Sequence, residues 1–175
     1  MSAVPTPTTT PRAEKDSWAT PRDLFDRLSA THGPFDIDAA ADATNHLCAA
    51  WFGPGNIYAE DALTTHWGME ECDDEDRVPL RVWVNPPYSR GMVGRFVAKA
   101  VEEARAGRAV TTLLIPAWTD QPWWAEVVWD AARGRFRPGV EVEFLRGRVR
   151  FVRPDGTRAG SPTFPSVVVT IGGVG

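Results

Sequence analysis

The chain carries Asn85, Pro86, Pro87 and Tyr88 directly after the apolar run at residues 82–84. The side-chain carbonyl of Asn85 and the backbone carbonyl of Pro86 form two adjacent acceptors, held by a backbone that the prolines restrict. Such a pair could accept both hydrogens of an amine on a planar ring and free the nitrogen lone pair. Tyr88 adds an aromatic face for stacking. The tetrapeptide is a candidate catalytic loop for methylating a ring amine by positioning rather than by a strong base.

The same tetrapeptide also has a purely structural interpretation. A proline pushes the residue before it toward extended backbone, and neither proline can donate a hydrogen bond to a sheet. Asn-Pro-Pro is therefore also a good strand terminator. The tetrapeptide alone leaves both interpretations open, and the elements around it have to decide.

The composition is that of a globular protein. Of 175 residues, 43% are hydrophobic and 24% are charged, which predicts one domain at residues 17–175 with a sizeable core. Residues 1–16 are rich in Thr and Pro, and we expect a disordered arm there. No stretch has the length and apolarity of a membrane span, and the N-terminus lacks the pattern of a secretory signal. We expect a cytoplasmic protein without a membrane partner.

Metal-ligating side chains are scattered along the chain. Cys48 and Cys72 lack CxxC spacing and have no nearby pair of histidines. The three histidines are isolated from one another as well. The sequence therefore predicts neither a metal site nor a disulfide framework.

Charge is distributed unevenly around a net value of −4. Acidic residues concentrate at residues 70–76, which predicts a solvated loop, whereas residues 133–158 contain eight arginines. Arg146, Arg148 and Arg150 alternate with apolar residues, so in a strand their guanidinium groups would share one face. That face is a candidate contact for DNA phosphates. An exposed edge strand protected by charge is the alternative.

Strand and helix patterns alternate along the chain. Helices are predicted from about residue 21 to 32 and at residues 91–106 and 122–132, and strands at residues 35–38, 56–58, 81–84, 110–115, 140–145, 147–152 and 166–171. Alternation followed by a group of strands predicts an α/β fold. We expect a mostly parallel sheet with an antiparallel C-terminal edge and helices on both faces.

Polar side chains follow three of the predicted apolar segments. Asp38, Asp61 and Asn85 would then meet at the carboxyl edge of the sheet, where ligands bind in such folds. Asp38, beside the small residue Ala39, could bind a polar cofactor, and Asp61 could bind a ribose hydroxyl or an adenine amine. Either aspartate could equally be a helix cap or a turn residue.

Seven segments in this order resemble the phage-type DNA N6-adenine methyltransferases related to Dam, which use S-adenosylmethionine. They are residues 18–21 with 24–25, 35–40, 60–63 with Trp67, 85–89, 114–117, 144–151 and 165–166. The resemblance implies a Rossmann-like S-adenosylmethionine-dependent methyltransferase fold and DNA as the partner. It also implies a monomer or homodimer, in the host cytoplasm if the chain is phage-encoded.

The resemblance also implies roles for matching residues. The expected cofactor-binding residues are Trp18, Thr20, Pro21, Asp38, Ala39 and Asp61, and the expected catalytic residues are Asn85, Pro86, Pro87 and Tyr88. Trp118 and Thr119, with Trp123 nearby, are expected on the substrate side or in packing. Residues 38–41 lack the glycine-rich turn of many methyltransferases, which leaves the cofactor contacts open.

Two other classes of function remain open from the sequence. One is a methyltransferase acting on another amine, such as a protein glutamine or an RNA guanine. The other is a non-catalytic DNA-binding accessory protein, in which Asn85 would have no effect on activity.

Overall fold

The computed structural model describes residues 16, 18–68, 78–89, 91–160 and 162–172. Apart from Asp16, the predicted arm lies outside the described residues, as do the acidic run at residues 70–76 and Cys72. The elements in chain order are α1 (Arg22–His32), β1 (Ile37–Asp38), β2 (Ala50–Trp51), β3 (Leu80–Val84), α2 (Met92–Arg105), β4 (Ala109–Pro116), a π-helix (Trp124–Val128), β5 (Trp129–Asp130), β6 (Arg135–Phe136), β7 (Val140–Phe144) and β8 (Ser166–Ile171). No helix in the described ranges is long and apolar enough to cross a membrane.

Six strands form one mixed sheet in the order β2-β1-β3-β4-β8-β7. The first four are parallel to one another, and β8 is antiparallel to both of its neighbours, β4 and β7. The predicted α/β fold with a mostly parallel sheet is confirmed. The antiparallel strand lies one position inside the edge, because β7 forms the edge itself.

The sheet separates two hydrophobic clusters, because successive side chains of a strand point to opposite faces. In β3, Val82 and Val84 pack on the face covered by α2, whereas Trp83 packs on the face covered by α1. Phe25 and Leu28 of α1 are buried in the second cluster, and the Phe25 ring is edge-on to Trp83 at 5.5 Å between centroids. Helices therefore cover both faces, as the sequence predicts.

Helix α2 follows the predicted catalytic loop and forms as its apolar spacing predicts. Its buried side chains include Val93, Phe96, Val97 and Ala100, which recur at helical spacing. Gly107, at φ 67°, takes the left-handed conformation that follows helix ends at little steric cost. α2 packs against β4 and carries its apolar face onto the sheet beside the loop.

Residues 56–58 do not form the predicted strand. The strand at this point is Ala50–Trp51, which pairs in parallel with β1. Ile57 and Tyr58 are 87% and 90% exposed, so no neighbouring strand buries the apolar side chains that suggested one. Because these apolar residues have no neighbouring strand to pack against, the segment remains a loop.

The helix predicted at residues 122–132 forms only in its first half. A π-helix, Trp124–Val128, gives way directly to β5 at Trp129. The carboxylate of Asp130 accepts a hydrogen bond from the backbone N–H of Arg133 at 3.2 Å and so stabilises the turn between β5 and β6. A local turn at this aspartate overrides the helical periodicity.

Residues 147–152 do not form the predicted strand either. Val152 makes isolated bridges with Ala19 and Arg158, and Gly147 takes a φ of 82°, outside the strand region. The apolar residues of this segment are buried and its arginines are exposed. Its alternating pattern therefore reflects burial on one side without a hydrogen-bonded ladder.

Candidate active site

The carboxyl edge of the sheet brings two predicted site residues together. Asp38 ends β1 and Asn85 follows β3, and these two strands are parallel neighbours. Both side chains line a small polar recess. The other residues that line this recess are Asp16, Trp18, Ala19, Thr20, Ala40, Asn45, Leu47 and Trp83. The sequence-based expectation that Asp38 and Asn85 share one edge is confirmed.

The side-chain amide of Asn85 is held at both of its ends. Its Nδ2 donates to the backbone carbonyl of Trp18 at 3.3 Å, and its Oδ1 accepts from the hydroxyl of Tyr88 at 3.0 Å. These contacts fix which end of the amide carries the acceptor. No described residue donates to the carbonyl of Pro86. The loop therefore presents one acceptor that is bonded internally and one that is not.

The hydroxyl of Tyr88 lies between two acceptors. It is 3.0 Å from Oδ1 of Asn85 and 3.0 Å from the backbone carbonyl of Leu114 in β4. A hydroxyl has a single hydrogen, so it can fully satisfy one acceptor at a time. Burial raises the pKa of Tyr88 well above its ordinary value, so the hydroxyl keeps this hydrogen.

The Tyr88 ring belongs to an aromatic cluster with Trp118, Phe151 and Phe164. Its centroid lies 6.5, 5.8 and 5.6 Å from the centroids of those three rings, all edge-to-face. Trp118 was a sequence-predicted substrate residue, whereas Phe151 and Phe164 were missed. Phe164 carries no local pattern and comes to Tyr88 only through the fold.

Asp38 is a buried carboxylate at 3% exposure. It accepts hydrogen bonds from the backbone N–H groups of Leu47 at 3.1 Å and Ala40 at 3.3 Å. Burial raises its pKa to about 6, and these two hydrogen bonds and the nearby charge of His46 limit the rise. Asp38 is ionised at neutral pH but close to its titration range.

A larger space, the edge cavity, has a volume of about 430 Å³. It shares Ala40 and Asn45 with the polar recess. Its lining is Asp16, Ala39, Ala40, Ala41, Asp42, Asn45, Phe52, Gly53, Pro54, Glu60, Asp61, Ala62, Leu63, Pro87, Met92 and Phe96. The predicted residues Ala39, Asp61 and Pro87 are among them. The volume lies within the range of pockets for small ligands.

Asp61 reaches the cavity from a turn. Its carboxylate accepts a hydrogen bond from the backbone N–H of Leu63 at 2.9 Å, and its carbonyl accepts from the backbone N–H groups of Thr64 and Thr65. The turn-residue alternative therefore holds for its local bonding. Its exposed side chain lines the cavity all the same.

Three residues around the recess carry buried donors without partners. They are Nε1 of Trp18, Oγ1 of Thr20 and Nε1 of Trp83, and none has a hydrogen-bond partner among the described residues. All three residues line the polar recess. Buried donors without partners are uncommon, and they suit a site that receives an acceptor from a ligand or ordered water.

The remaining predicted residues lie away from the cavity. Pro21 is at the start of α1 and lines a different groove, described below. Thr119 is exposed in the loop after β4, where its backbone N–H donates to the carbonyl of Ala117. Trp123 packs against Gly94 of α2, where a Cβ on the glycine would lie 3.2 Å from the indole. The contact of Trp123 is packing.

A buried ionic network anchors the cavity wall and was missed in the sequence. Glu103 of α2 is fully buried and bonds Nζ of Lys99 at 2.8 Å and Nε of Arg108 at 2.6 Å. It also accepts the backbone N–H of Trp67 at 3.2 Å, and the Trp67 indole donates to the carbonyl of Ala62 at 2.8 Å. Burial raises the pKa of Glu103, but the bonds to Arg108 and Lys99 outweigh this and lower it to about 2.

The signal for this network was present in the helix pattern. Glu103 lies four positions after Lys99 and falls within the buried stripe of α2. His66 and Glu102 lie close enough to join Glu103 around a metal ion. Lys99 and Arg108 already neutralise the Glu103 carboxylate, however, so the cluster is explained as a salt-bridge network.

An arginine groove lies between α1 and residues 143–150, with a volume of about 580 Å³. Its charged lining residues are Arg27, Arg146, Arg148, Arg150, Arg158, Asp23 and Glu143. Arg27 bonds Glu143 at 2.8 Å, and Arg158 lies 3.6 Å from Asp23. The three arginines predicted from the sequence are exposed and have no hydrogen bond or ion pair with a described residue.

Fold and site together define an α/β protein that presents an Asn-Pro-Pro-Tyr loop beside a cavity of cofactor size. The chain belongs to the DNA N-6-adenine-methyltransferase (Dam) family, whose model matches residues 7–171. It is also similar to the DNA N-6-adenine-methyltransferase of Escherichia phage T1, with 33% identity over 125 residues, or 71% of this chain. The match covers 46% of the phage protein, so the chain spans less than half the length of that relative. The family resemblance drawn from the sequence is confirmed.

Proposed function

We propose that this chain is a site-specific DNA adenine methyltransferase that transfers a methyl group from S-adenosylmethionine to N6 of adenine. The observation that carries the proposal is the placement of the Asn85 loop in a member of the Dam family: Asn85 lines the polar recess, and Pro87 lines the edge cavity that adjoins it. Because the chain belongs to the Dam family, N6 of adenine is the first candidate for the amine that is methylated. The geometry of the loop suits the chemistry, because both acceptors can hold one amine.

The residues of the polar recess fit the methionine end of S-adenosylmethionine. That end has an ammonium and a carboxylate. Ionised Asp38 suits the ammonium, and the unpartnered donors of Trp18 and Thr20 suit the carboxylate. Without a ligand acceptor or ordered water, burial of these donors would carry a cost of about 1–3 kcal/mol each.

The edge cavity fits the adenosine end. Its walls are apolar at Phe52, Met92 and Phe96, which suit the faces of a purine, and Asp61 offers a carboxylate for ribose hydroxyls. The parallel strands that end around it support a Rossmann-like arrangement of the methyltransferase type, since ligands of such sheets bind at their carboxyl ends. S-adenosylmethionine, when bound, supplies the electrophilic methyl group.

The residues of the catalytic loop have distinct tasks toward the adenine. Oδ1 of Asn85 and the carbonyl of Pro86 accept the two amine hydrogens, which frees the nitrogen lone pair. Tyr88 passes its hydrogen from Asn85 to the carbonyl of Leu114, so neither oxygen loses a partner. A base taken out of the duplex stacks against the aromatic cluster, beside the partly exposed rings of Trp118 and Phe164.

The test is transfer of labelled methyl groups from S-adenosylmethionine to unmethylated DNA, followed by nucleoside analysis, with protein and RNA substrates in parallel. We expect label in N6-methyladenine, and a rate about 100- to 1000-fold lower for Asn85→Ala, on the scale of losing one catalytic hydrogen-bonding group. Label in glutamine or guanine would point to another amine. Transfer to none of the three would support a non-catalytic accessory protein.

A further inference from the structure

The arginine groove is an unassigned surface next to the catalytic loop. Two independent links connect them. First, the Phe151 ring lies 5.8 Å from the Tyr88 ring. Second, Val152 pairs with Ala19, and the preceding residue, Trp18, accepts a hydrogen bond from Asn85 through its backbone carbonyl. Phe151 is 2% exposed and packs in the cluster on the α1 face of the sheet. The arginine segment is therefore fixed to the same body as the loop.

The charge of the groove opposes that of the chain. Five arginines and two acidic residues line it, whereas the whole chain has a net charge of −4. Arg146, Arg148 and Arg150 are exposed without a described partner. Most other arginines of the described segments have one: Arg22 pairs with Asp26 and Arg133 with Asp130, for example. Three exposed guanidinium groups lining one groove make a local positive potential that attracts a polyanion.

We propose that the arginine groove holds the sugar-phosphate backbone of the DNA strand whose base enters the catalytic loop. This inference rests on the proposed function. Guanidinium groups bind phosphate oxygens bidentately, and a row of three suits successive phosphates of one strand. Exposed Phe144, 62% accessible, borders the row and offers an apolar contact to the sugars or bases.

One of the two acidic residues, Glu143, limits how many arginines of the groove are available for phosphates. Glu143 holds Arg27 through a 2.8 Å ion pair and also contacts His32 at 3.3 Å, so Arg27 is not free for a phosphate. Burial raises the pKa of Glu143, but its contacts with Arg27 and His32 outweigh this and lower it. Glu143 therefore keeps its charge at neutral pH. Its removal would free Arg27 and extend the positive surface onto α1.

The first experiment measures the affinity of the full chain for a short DNA duplex from 50 to 300 mM salt. We expect the combined variant Arg146→Gln, Arg148→Gln, Arg150→Gln to reduce the salt slope by up to about 2.7, at roughly 0.9 per lost phosphate contact. The loss should be similar for every DNA sequence, and kcat at saturating DNA should stay within about twofold. Arg105→Gln, an exposed arginine at the end of α2, is the matched control and should leave the slope unchanged.

The second experiment tests a substitution that should strengthen DNA binding. Glu143→Gln should bind DNA more tightly and increase the salt slope by about 0.9, because Arg27 becomes available for one more phosphate. Circular dichroism and thermal unfolding establish that each variant is folded. A Glu143 variant that binds more weakly, while folded, would contradict the proposal.

Failure of this inference is distinguishable from failure of the proposed function. Suppose that the native chain methylates adenine in DNA. If the triple variant then keeps the native salt slope, or if Arg105→Gln changes the slope as much as the triple variant does, the groove does not bind the DNA backbone. If the native chain transfers no methyl group, the proposed function fails while the binding result stands by itself. A triple variant that loses affinity for single-stranded RNA alone would overturn DNA as the occupant.

Discussion

The edge cavity with its recess and the arginine groove are built in opposite ways. In the recess beside the cavity, polar groups are buried in fixed positions: Asp38 accepts from two backbone N–H groups, and three buried donors have no partner among the described residues. Around the groove, three arginines are exposed and have no hydrogen bond or ion pair with a described residue. The first arrangement determines the position of individual atoms, and the second determines only the local charge.

This difference matches what each ligand would require. A small cofactor has a few polar groups, each of which needs a fixed partner, so its site must be ordered before binding. A DNA backbone is a long polyanion whose non-specific binding depends on counterion release and tolerates mobile side chains. Changes on the cavity side should therefore affect the cofactor alone, and changes in the groove should affect DNA alone.

The largest effect expected on the cavity side is that of Asp38→Asn. At pH 8 it should raise the KM for S-adenosylmethionine at least about 30-fold, because it removes one charge of a buried pair worth 2 kcal/mol or more. The salt slope of DNA binding should not change. Cofactor binding by calorimetry and DNA binding by fluorescence anisotropy separate the two. An altered DNA salt slope would contradict the separation of the two sites.

The titration of Asp38 sharpens this prediction. Native affinity for S-adenosylmethionine should fall as the pH drops below about 6, where Asp38 becomes protonated, and the Asp38→Asn variant should show no such fall. The folded-state pKa exceeds the unfolded value of 3.8, so ionisation destabilises the native fold between about pH 4 and 6. The substitution should remove this loss, measured by denaturant unfolding across that range.

The next largest effect is expected for Gly53→Ala. Gly53 lines the cavity at φ 143°, and a Cβ there would lie 1.9 Å from the carbonyl of Ala41, so the wall must shift. We expect about a 10-fold higher KM for S-adenosylmethionine and a loss of about 1–3 kcal/mol in the free energy of unfolding. Gly55→Ala is the matched control, because Gly55 also has a positive φ but its Cβ would meet nothing closer than 3.8 Å. Equal effects of the two would exclude the clash as the cause.

A smaller effect is expected for Glu103→Gln, which acts on the cavity through Trp67 and Ala62. It should raise the KM for S-adenosylmethionine about fivefold, on the scale of one hydrogen bond, with kcat unchanged. Glu102→Gln, on the exposed side of the same two cations, should change neither. Because breaking a buried ion pair costs about 3–5 kcal/mol, Trp67→Phe provides a second variant with the charges intact. Stability loss in both variants without a KM change would leave Glu103 a structural residue only.

The smallest effect is expected at the junction of the two regions. Tyr88→Phe keeps the ring and removes the hydroxyl that orients Asn85, so kcat should fall about threefold, with cofactor and DNA affinity unchanged. Tyr88→Leu also removes the stacking surface and should weaken binding of a flipped base by about 1–3 kcal/mol. A fluorescent base analogue at the target position reports that step. Native kcat in Tyr88→Phe would exclude a role for the hydroxyl, and equal losses in both variants would exclude a role for the ring.

The sequence predicts the elements whose signal is local and continuous. β4 is a continuous run of apolar and β-branched residues, and α2 repeats its buried residues at helical spacing, so both were located to within about two residues. β2 has only two residues, Ala50–Trp51, and its pairing with β1 leaves no local pattern. Residues 147–152 alternate because one side is buried, and alternation alone cannot reveal that no strand lies beside them.

The residues of the site also differ in whether a local sequence pattern predicts them. The Asn85 loop and Asp38 were predictable because Asp38 ends one strand and Asn85 directly follows another at the carboxyl edge. Phe164 was not, because its contact with Tyr88 joins segments distant in the chain. The spacing of Lys99 and Glu103 in α2 was a signal for their ion pair, but no local pattern indicates the contact of Glu103 with Trp67. The arginines were recognised as a charged surface, but their groove depends on α1, to which no sequence pattern connects them.

The position of β8 has a consequence for the order in which the protein can become active. β8 is the last strand of the sheet to be synthesised, yet it lies between β4 and β7 and is the only strand that pairs with β7 in the described sheet. Until β8 emerges from the ribosome, β4 has an open edge and β7 has no place in the sheet. The arginine segment, which follows β7, would lack the packing of Val149 and Phe151 in one cluster with Val168 of β8. A nascent chain can therefore contain the Asn85 loop and the first three strands before the sheet is complete, and on the proposed function we expect methylation only after translation passes residue 171.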